Sequence, residues 1–137
     1  MSENIFRPEP DQNTILYVKD LKTWFPLRRG LMDIITGKPR RYVRAVDGIS
    51  FIVKDGDVFG LAGESGCGKT TTGKTILRLY HPTSGLIAYR PRKILLDQFE
   101  QLGYEPKVVD KFGSIDVGSI PPKYLSPLRK EMQIIFQ

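Results

Sequence analysis

Apolar positions along this chain fall into short runs of alternating period, broken by Gly, Pro and Asp. Residues 14–18 (Thr-Ile-Leu-Tyr-Val) are β-branched and aromatic, and residues 21–25 carry the apolar content on until Pro26 stops it, which predicts a strand. Residues 42–46 and 49–53 read as two further strands, with Asp47-Gly48 and Asp55-Gly56 as hairpin-type turns. Asp57-Val58-Phe59-Gly60-Leu61-Ala62 reads as a buried strand, followed by a glycine-rich loop and a helix from about Lys69 to Tyr80 with Ile76, Leu77 and Tyr80 on its apolar face. Beyond the turn residues 81–85, residues 86–89 predict a short strand. Leu95, Phe99 and Leu102 recur at helical spacing, which predicts a helix over 93–102. Residues 125–131 predict a helix with Ser126 as N-cap and Pro127 at its first position, and residues 132–136 a buried strand. Residues 1–13, polar and holding Pro8 and Pro10, read as a loose arm.

The composition of these 137 residues, 40% hydrophobic and 26% charged, suits one domain of about this size. There is no run of eighteen apolar residues, and Met1-Ser2-Glu3-Asn4 lacks the basic-then-apolar layout of a secretory signal, so the expected location is cytoplasmic. The single cysteine, Cys67, excludes an internal disulfide and a multi-cysteine metal site, and reads as an alkylation target rather than a catalyst. A net charge of +6 and a pI near 9.5 draw attention to the cluster of Arg28, Arg29, Lys38, Arg40, Arg41 and Arg44. Such a cluster suits a solvated loop, an anionic membrane surface or nucleic acid. No RNA-binding aromatic signature, zinc-finger spacing or recognition-helix pattern accompanies it, so nucleic acid is not expected as a partner.

The chemistry lies in Gly63-Glu64-Ser65-Gly66-Cys67-Gly68-Lys69-Thr70, which fits G-x-x-x-x-G-K-[ST] between a predicted strand and a predicted helix. Its glycines let successive backbone N–H groups converge on phosphate oxygens. Lys69 supplies a mobile positive charge for the β- and γ-phosphates, the Thr70 hydroxyl suits a bridging Mg²⁺, and Thr71 adds a donor. The helix aims its positive end at the same phosphates. A glycine-rich turn can be purely structural, but the strand-loop-helix setting favours a nucleotide triphosphate.

Read together, Ala45-Val46-Asp47-Gly48-Ile49-Ser50-Phe51, residues 63–70, Pro82-Thr83-Ser84-Gly85 and Met132-Gln133-Ile134-Ile135-Phe136-Gln137 resemble the ATP-binding subunits of ABC transporters, in wording closest to the dipeptide and oligopeptide importer branch. The resemblance covers most of residues 14–89 and 124–137. It implies an α/β P-loop NTPase core of the ABC ATPase type with an antiparallel β-subdomain, incomplete on its C-terminal side. It further implies ATP and Mg²⁺ as cofactors, and a peripheral position on the inner face of the membrane. The implied partners are transmembrane permease subunits, a second ATP-binding subunit and, indirectly, a substrate-binding protein. By the same resemblance the cofactor-binding residues are Phe25, Gly63, Ser65, Gly66, Cys67, Gly68, Lys69, Thr70 and Thr71. Phe25 stacks on adenine, with Trp24 as the neighbouring alternative. Gln137 matches the Q-loop glutamine, which with Thr70 serves Mg²⁺ and with Lys69 the chemistry.

Two departures qualify the match. Residues 90–123 exceed the usual spacing and are expected to be an inserted surface elaboration. The Leu-Ser-Gly-Gly-Gln signature, the Walker B strand with its acidic pair and the switch histidine do not occur in these 137 residues; His81 directly follows the P-loop helix and reads as a turn residue. The expected behaviour is nucleotide binding with no turnover by this chain alone, and poor folding unless something covers the edge of the P-loop strand. Two other readings are a non-catalytic nucleotide-binding module and a small P-loop kinase. The Ala-Val-Asp-Gly and Q-loop matches argue against the kinase.

Overall fold

The computed structural model describes residues 8–135. Two thirteen-residue strands, β1 (Thr14–Pro26) and β2 (Tyr42–Lys54), form a long antiparallel hairpin that pairs Thr14 with Lys54 at one end and Pro26 with Tyr42 at the other. The predicted strand over 14–25 is therefore present. The two runs assigned to 42–53 are one strand. Asp47-Gly48 is no hairpin turn: Leu21 pairs with Ile49 and Lys22 with Asp47, so Gly48, at φ 85°, is the extra residue of a bulge that β2 absorbs without leaving the ladder. Asp55-Gly56 does turn, as predicted, closing β2 through the Asp57 N–H to the Lys54 carbonyl. The tip of the hairpin, expected as plain loop, carries a one-turn helix, α1 (Leu31–Ile35).

Strand β3 (Ser84–Tyr89) pairs with the other edge of β1, and the two-residue β4 (Ile115–Asp116) pairs with β3, giving an antiparallel sheet in the order β2-β1-β3-β4. Helix α2 (Lys69–Ile76) lies against this sheet. It is shorter than the predicted 69–80 because Arg78 takes a left-handed conformation at φ 56°, and the Leu79 and Tyr80 N–H groups both turn back to the Lys74 carbonyl. Thr75 and Thr23 hydroxyls, 3.0 Å apart and buried, join α2 to β1.

Residues 57–62 do not form the buried strand that their sequence predicts. They form no ladder among the described residues and lie exposed, with Val58 wholly open to solvent and Phe59 stacked on Phe51 of β2 at 4.7 Å. An apolar run becomes a strand only when another strand lies alongside to take its backbone hydrogen bonds, and here none does. Residues 132–135 likewise have no regular structure, and Phe136 of that expected strand lies outside the described residues. Helix α4 (Leu125–Glu131) keeps its predicted span but not its predicted cap. A 3₁₀ turn, Pro122–Tyr124, runs into it, Tyr124 is the capping residue, and Ser126 and Pro127 sit inside the first turn.

The segment 90–123 is not a surface elaboration. Helix α3 (Lys93–Gln101), close to its predicted span, buries Leu95 and Phe99; Ile115, Val117 and Ile120 follow. These five pack with Val18, Leu21 and Ile87 of the sheet and with Leu125 and Leu128 of α4 in one core. Burying side chains of this size is worth about 1.5–3 kcal/mol each, so removing the segment would take these five from the core. Within the stretch expected as a loose arm, residues 8–13 are anchored: Pro8 is buried, and Asp11 accepts from the Asn13 N–H and pairs with Lys54 at 3.0 Å. The hydrogen bond from Lys54 and that from Asn13 hold the Asp11 carboxyl down at about 2.

Candidate functional site

The phosphate-loop residues 63–70 run straight into α2, so the N–H groups of Lys69, Thr70 and Thr71 occupy the first turn, where a helix has no internal acceptors to offer them. The first bond of the ladder is from the Thr72 N–H to the Gly68 carbonyl at 2.8 Å. No acidic side chain sits in this first turn to neutralise its positive end. The loop is held close to the sheet by its last glycine. At φ 96°, Gly68 passes so near β2 that an added Cβ would stand 2.2 Å from the Ala45 carbonyl oxygen. Only glycine fits there.

The result is a cleft of about 150 Å³ lined by Ala45, Gly66, Gly68, Lys69, Thr70 and Thr71. That is below the volume of a whole-nucleotide pocket and suits a phosphate subsite whose nucleoside lies outside. The Lys69 ammonium bends back across the loop, 2.6 Å from both the Gly63 and the Glu64 carbonyl oxygens and 3.5 Å from Cys67 Sγ. Neighbouring hydroxyls differ in use. Thr72 donates to the Gly68 carbonyl and Thr75 to that of Thr71, whereas the hydroxyl of exposed Thr70, which lines the cleft, makes no hydrogen bond among the described residues. A free hydroxyl beside a phosphate site could serve a Mg²⁺ ion that takes most of its oxygens from phosphates and water. No group of three or more metal-ligating His, Cys, Asp or Glu side chains occurs among the described residues.

The structure thus brings Gly66, Gly68, Lys69, Thr70 and Thr71 together, with the Gly63 carbonyl and Cys67 Sγ meeting the Lys69 ammonium; exposed Ser65 is not among the residues lining the cleft. It does not bring Phe25 into the cleft. That ring is half buried and meets Tyr80 edge-on at 5.2 Å, beyond the C-terminal end of α2, while the phosphate loop is at the N-terminal end. Trp24 lies among polar neighbours, its Nε1 donating to Asp47 and Arg44 stacked over it at 4.5 Å. Gln137 lies outside the described residues. Ala45 is the lining residue that sequence reasoning missed. Nothing in its own type marks it, and the signal lay in the glycine at 68, which makes room for its carbonyl.

The sequence profile described as ABC transporter matches residues 46–137, which hold the loop, α2 and everything after them. The chain belongs to the ABC transporter family. Among curated proteins it is 48% identical over 84 residues to the oligopeptide transport ATP-binding protein AppF of Bacillus subtilis, a match covering 61% of this chain and 24% of the relative. It is 38% identical over 107 residues to the oligopeptide transport ATP-binding protein OppF of Lactococcus lactis, covering 74% and 32%. It is 34% identical over 127 residues to the glutathione import ATP-binding protein GsiA of Escherichia coli, covering 93% and 16%. The chain therefore spans less than a third of the length of these relatives. None of its described helices is long and apolar enough to cross a membrane.

Proposed function

We propose that this chain binds the triphosphate of Mg-ATP in the cleft between α2 and Ala45, and that the subunit to which it corresponds hydrolyses ATP to energise import of di- or oligopeptides through a membrane permease. The observation that carries the reading is the convergence, on one small cleft, of the first-turn N–H groups of α2, the Lys69 ammonium and the free Thr70 hydroxyl. An arriving phosphate competes with the Gly63 and Glu64 carbonyls for Lys69, and anionic oxygens are the stronger acceptors. The relatives' names, oligopeptide and glutathione, support a peptide as cargo. The permease, a second ATP-binding subunit and, indirectly, a substrate-binding protein are the partners this role entails. Water activation needs a group that orients or deprotonates the nucleophile, and the cleft lining holds no carboxylate. Gln137 and residues beyond this chain are proposed to provide that part.

The base requires an aromatic surface. Phe25 is the ring implied by the family resemblance; Tyr42, 45% exposed at the start of β2, is the freer one. Calorimetry with Mg-ATP and, separately, pyrophosphate tests both halves of the site. Lys69→Ala is expected to weaken both ligands at least 10-fold, and unchanged affinity would refute the phosphate site. Phe25→Ala is expected to weaken ATP by about 5- to 100-fold while leaving pyrophosphate alone, the range of one base–aromatic stack. Equal loss of both ligands makes Phe25 structural, and an ATP-specific loss in Tyr42→Ala moves the stack there.

A further inference from the structure

The tip of the β1–β2 hairpin is built unlike the rest of the molecule. Its helix α1 buries none of its residues, and Leu31, Met32, Ile34 and Ile35 all point outward, with Leu31 80% and Ile35 77% exposed. Residues 27–44 carry six basic side chains against the single acidic Asp33, so they hold five of the six net positive charges of the whole chain. Lys38 pairs with Asp33 at 3.5 Å and Arg44 with Asp47, while Arg28, Arg29, Arg40 and Arg41 form no ion pair among the described residues. Arg28, Arg29, Lys38 and Arg41 face a common cleft of about 280 Å³ at the base of α1. An aliphatic knob ringed by unpaired guanidinium groups is an arrangement neither water nor a folded core rewards.

We propose that this tip docks on the surface of a bilayer containing anionic phospholipid, with Leu31, Met32, Ile34 and Ile35 entering the headgroup–acyl boundary and Arg28, Arg29, Arg40 and Arg41 pairing with lipid phosphates. The two features act in the same place: apolar side chains gain by leaving water, and the basic ring is drawn to the negative surface potential. Charge complementarity decides among occupants. A second copy would bring the same cations against these, and nucleic acid would leave the aliphatic knob unused, since single strands are gripped by aromatic rings that the knob lacks. The inference does not depend on nucleotide binding, because the tip shares no residue with the phosphate cleft.

The test is flotation of the full chain with vesicles of equal parts phosphatidylglycerol and phosphatidylcholine, against phosphatidylcholine alone. Wild type is expected to float with the anionic vesicles in about 0.1 M salt, to stay behind with the neutral ones, and to release in about 1 M salt, where the Debye length falls to about 3 Å. The Arg40→Glu/Arg41→Glu variant is expected to lose partitioning by more than 20-fold, about 5-fold or more per cation lost. The Leu31→Asp/Ile35→Asp variant is expected to lose at least 10-fold with ATP affinity unchanged, and Lys69→Ala to float like wild type. Emission from Trp24, the one tryptophan, checks that each variant is folded. The proposal is overturned by absence of flotation, by equal flotation with neutral vesicles, or by wild-type behaviour of the Leu31/Ile35 variant. It is equally overturned if wild type self-associates through this face without binding lipid and the Leu31/Ile35 variant is monomeric, which would assign the knob to a second copy.

Discussion

At the scale of single residues, two glycines of the nucleotide segment separate what the fold demands from what the loop merely tolerates. Gly68 sits in the left-handed region against the Ala45 carbonyl, and the atom an added methyl would strike is backbone, which cannot swing away. Gly73, in the middle of α2, has ordinary helical geometry and nothing within 4 Å of a built Cβ. Gly68→Ala is therefore expected to destabilise by about 1–3 kcal/mol and to abolish phosphate binding, because relieving the clash pushes the loop off the sheet. Gly73→Ala is expected to stabilise by about 0.5–1 kcal/mol through reduced freedom of the unfolded chain, with affinity intact. Chemical denaturation followed by Trp24, with calorimetry on the same samples, reads both numbers. A Gly73→Ala variant as damaged as Gly68→Ala would mean that α2 is strained throughout, and the special standing of Gly68 would disappear.

Among elements, the decisive joint is where α4, α3 and β3 meet. The Glu131 carboxylate, 6% exposed, takes the Tyr89 hydroxyl at 2.9 Å, the Arg92 N–H at 3.1 Å and the Arg92 Nε at 3.3 Å, all on one oxygen. Burial pushes the Tyr89 phenol well above its ordinary range, and the hydrogen bond to Glu131 and that residue's negative charge push it further. A raised folded-state value means Tyr89 contributes stability that is fully present below the unfolded value of 10.0 and is lost as pH rises beyond it. Alkaline unfolding is thus expected to set in above pH 10. Tyr89→Phe should shift its onset upward, and Glu131→Ala should cost about 1–3 kcal/mol at neutral pH by leaving a buried hydroxyl and a backbone N–H unpaired. Thermal melts across pH measure both, and an onset unmoved by Tyr89→Phe would place the alkaline transition elsewhere. None of this joint was legible in the sequence, since Glu131 lies 39 positions from Arg92 and 42 from Tyr89. Sequence reading succeeded where the signal is local. β1, β3, α3 and α4 follow from periodicity and from Pro26, and the loop at 63–70 follows from its spacing. It failed where the outcome depends on neighbours: Gly48 reads as a turn until β1 is seen alongside, and α3 reads as surface until Ile115, Val117 and Ile120 are found beneath it.

On the scale of the whole molecule, residues 57–62 are the conflict that remains. Their composition is that of a buried strand, yet Val58, Phe59 and Leu61 are exposed on a segment that leads directly into the phosphate loop. The loop is therefore fixed at one end by α2 and the Gly68–Ala45 approach, while on the other side Phe59 stacks on Phe51. Two consequences differ in kind. Amides 58–62, lacking ladder partners, are expected to exchange with solvent in seconds to minutes, while those of Val18 and Ile87 on the central strands stay protected for orders of magnitude longer. The same unpaired, apolar backbone is a template for another chain, so the protein is expected to associate as its concentration rises. Val58→Lys places a charge on the exposed run without touching the core, and it is expected to suppress association measured by light scattering while leaving the melting temperature within about 1–2 °C. Should Val58→Lys instead lower the melting temperature by several degrees, Val58 would be packed in solution and the segment would be a strand after all. Slow exchange at 58–62 would say the same. Were association unchanged by the lysine while exchange stayed fast, the contact would lie on another exposed apolar surface; α1, with four exposed aliphatic side chains in five residues, is the first to test, and Leu31→Asp/Ile35→Asp is the variant expected to disperse it.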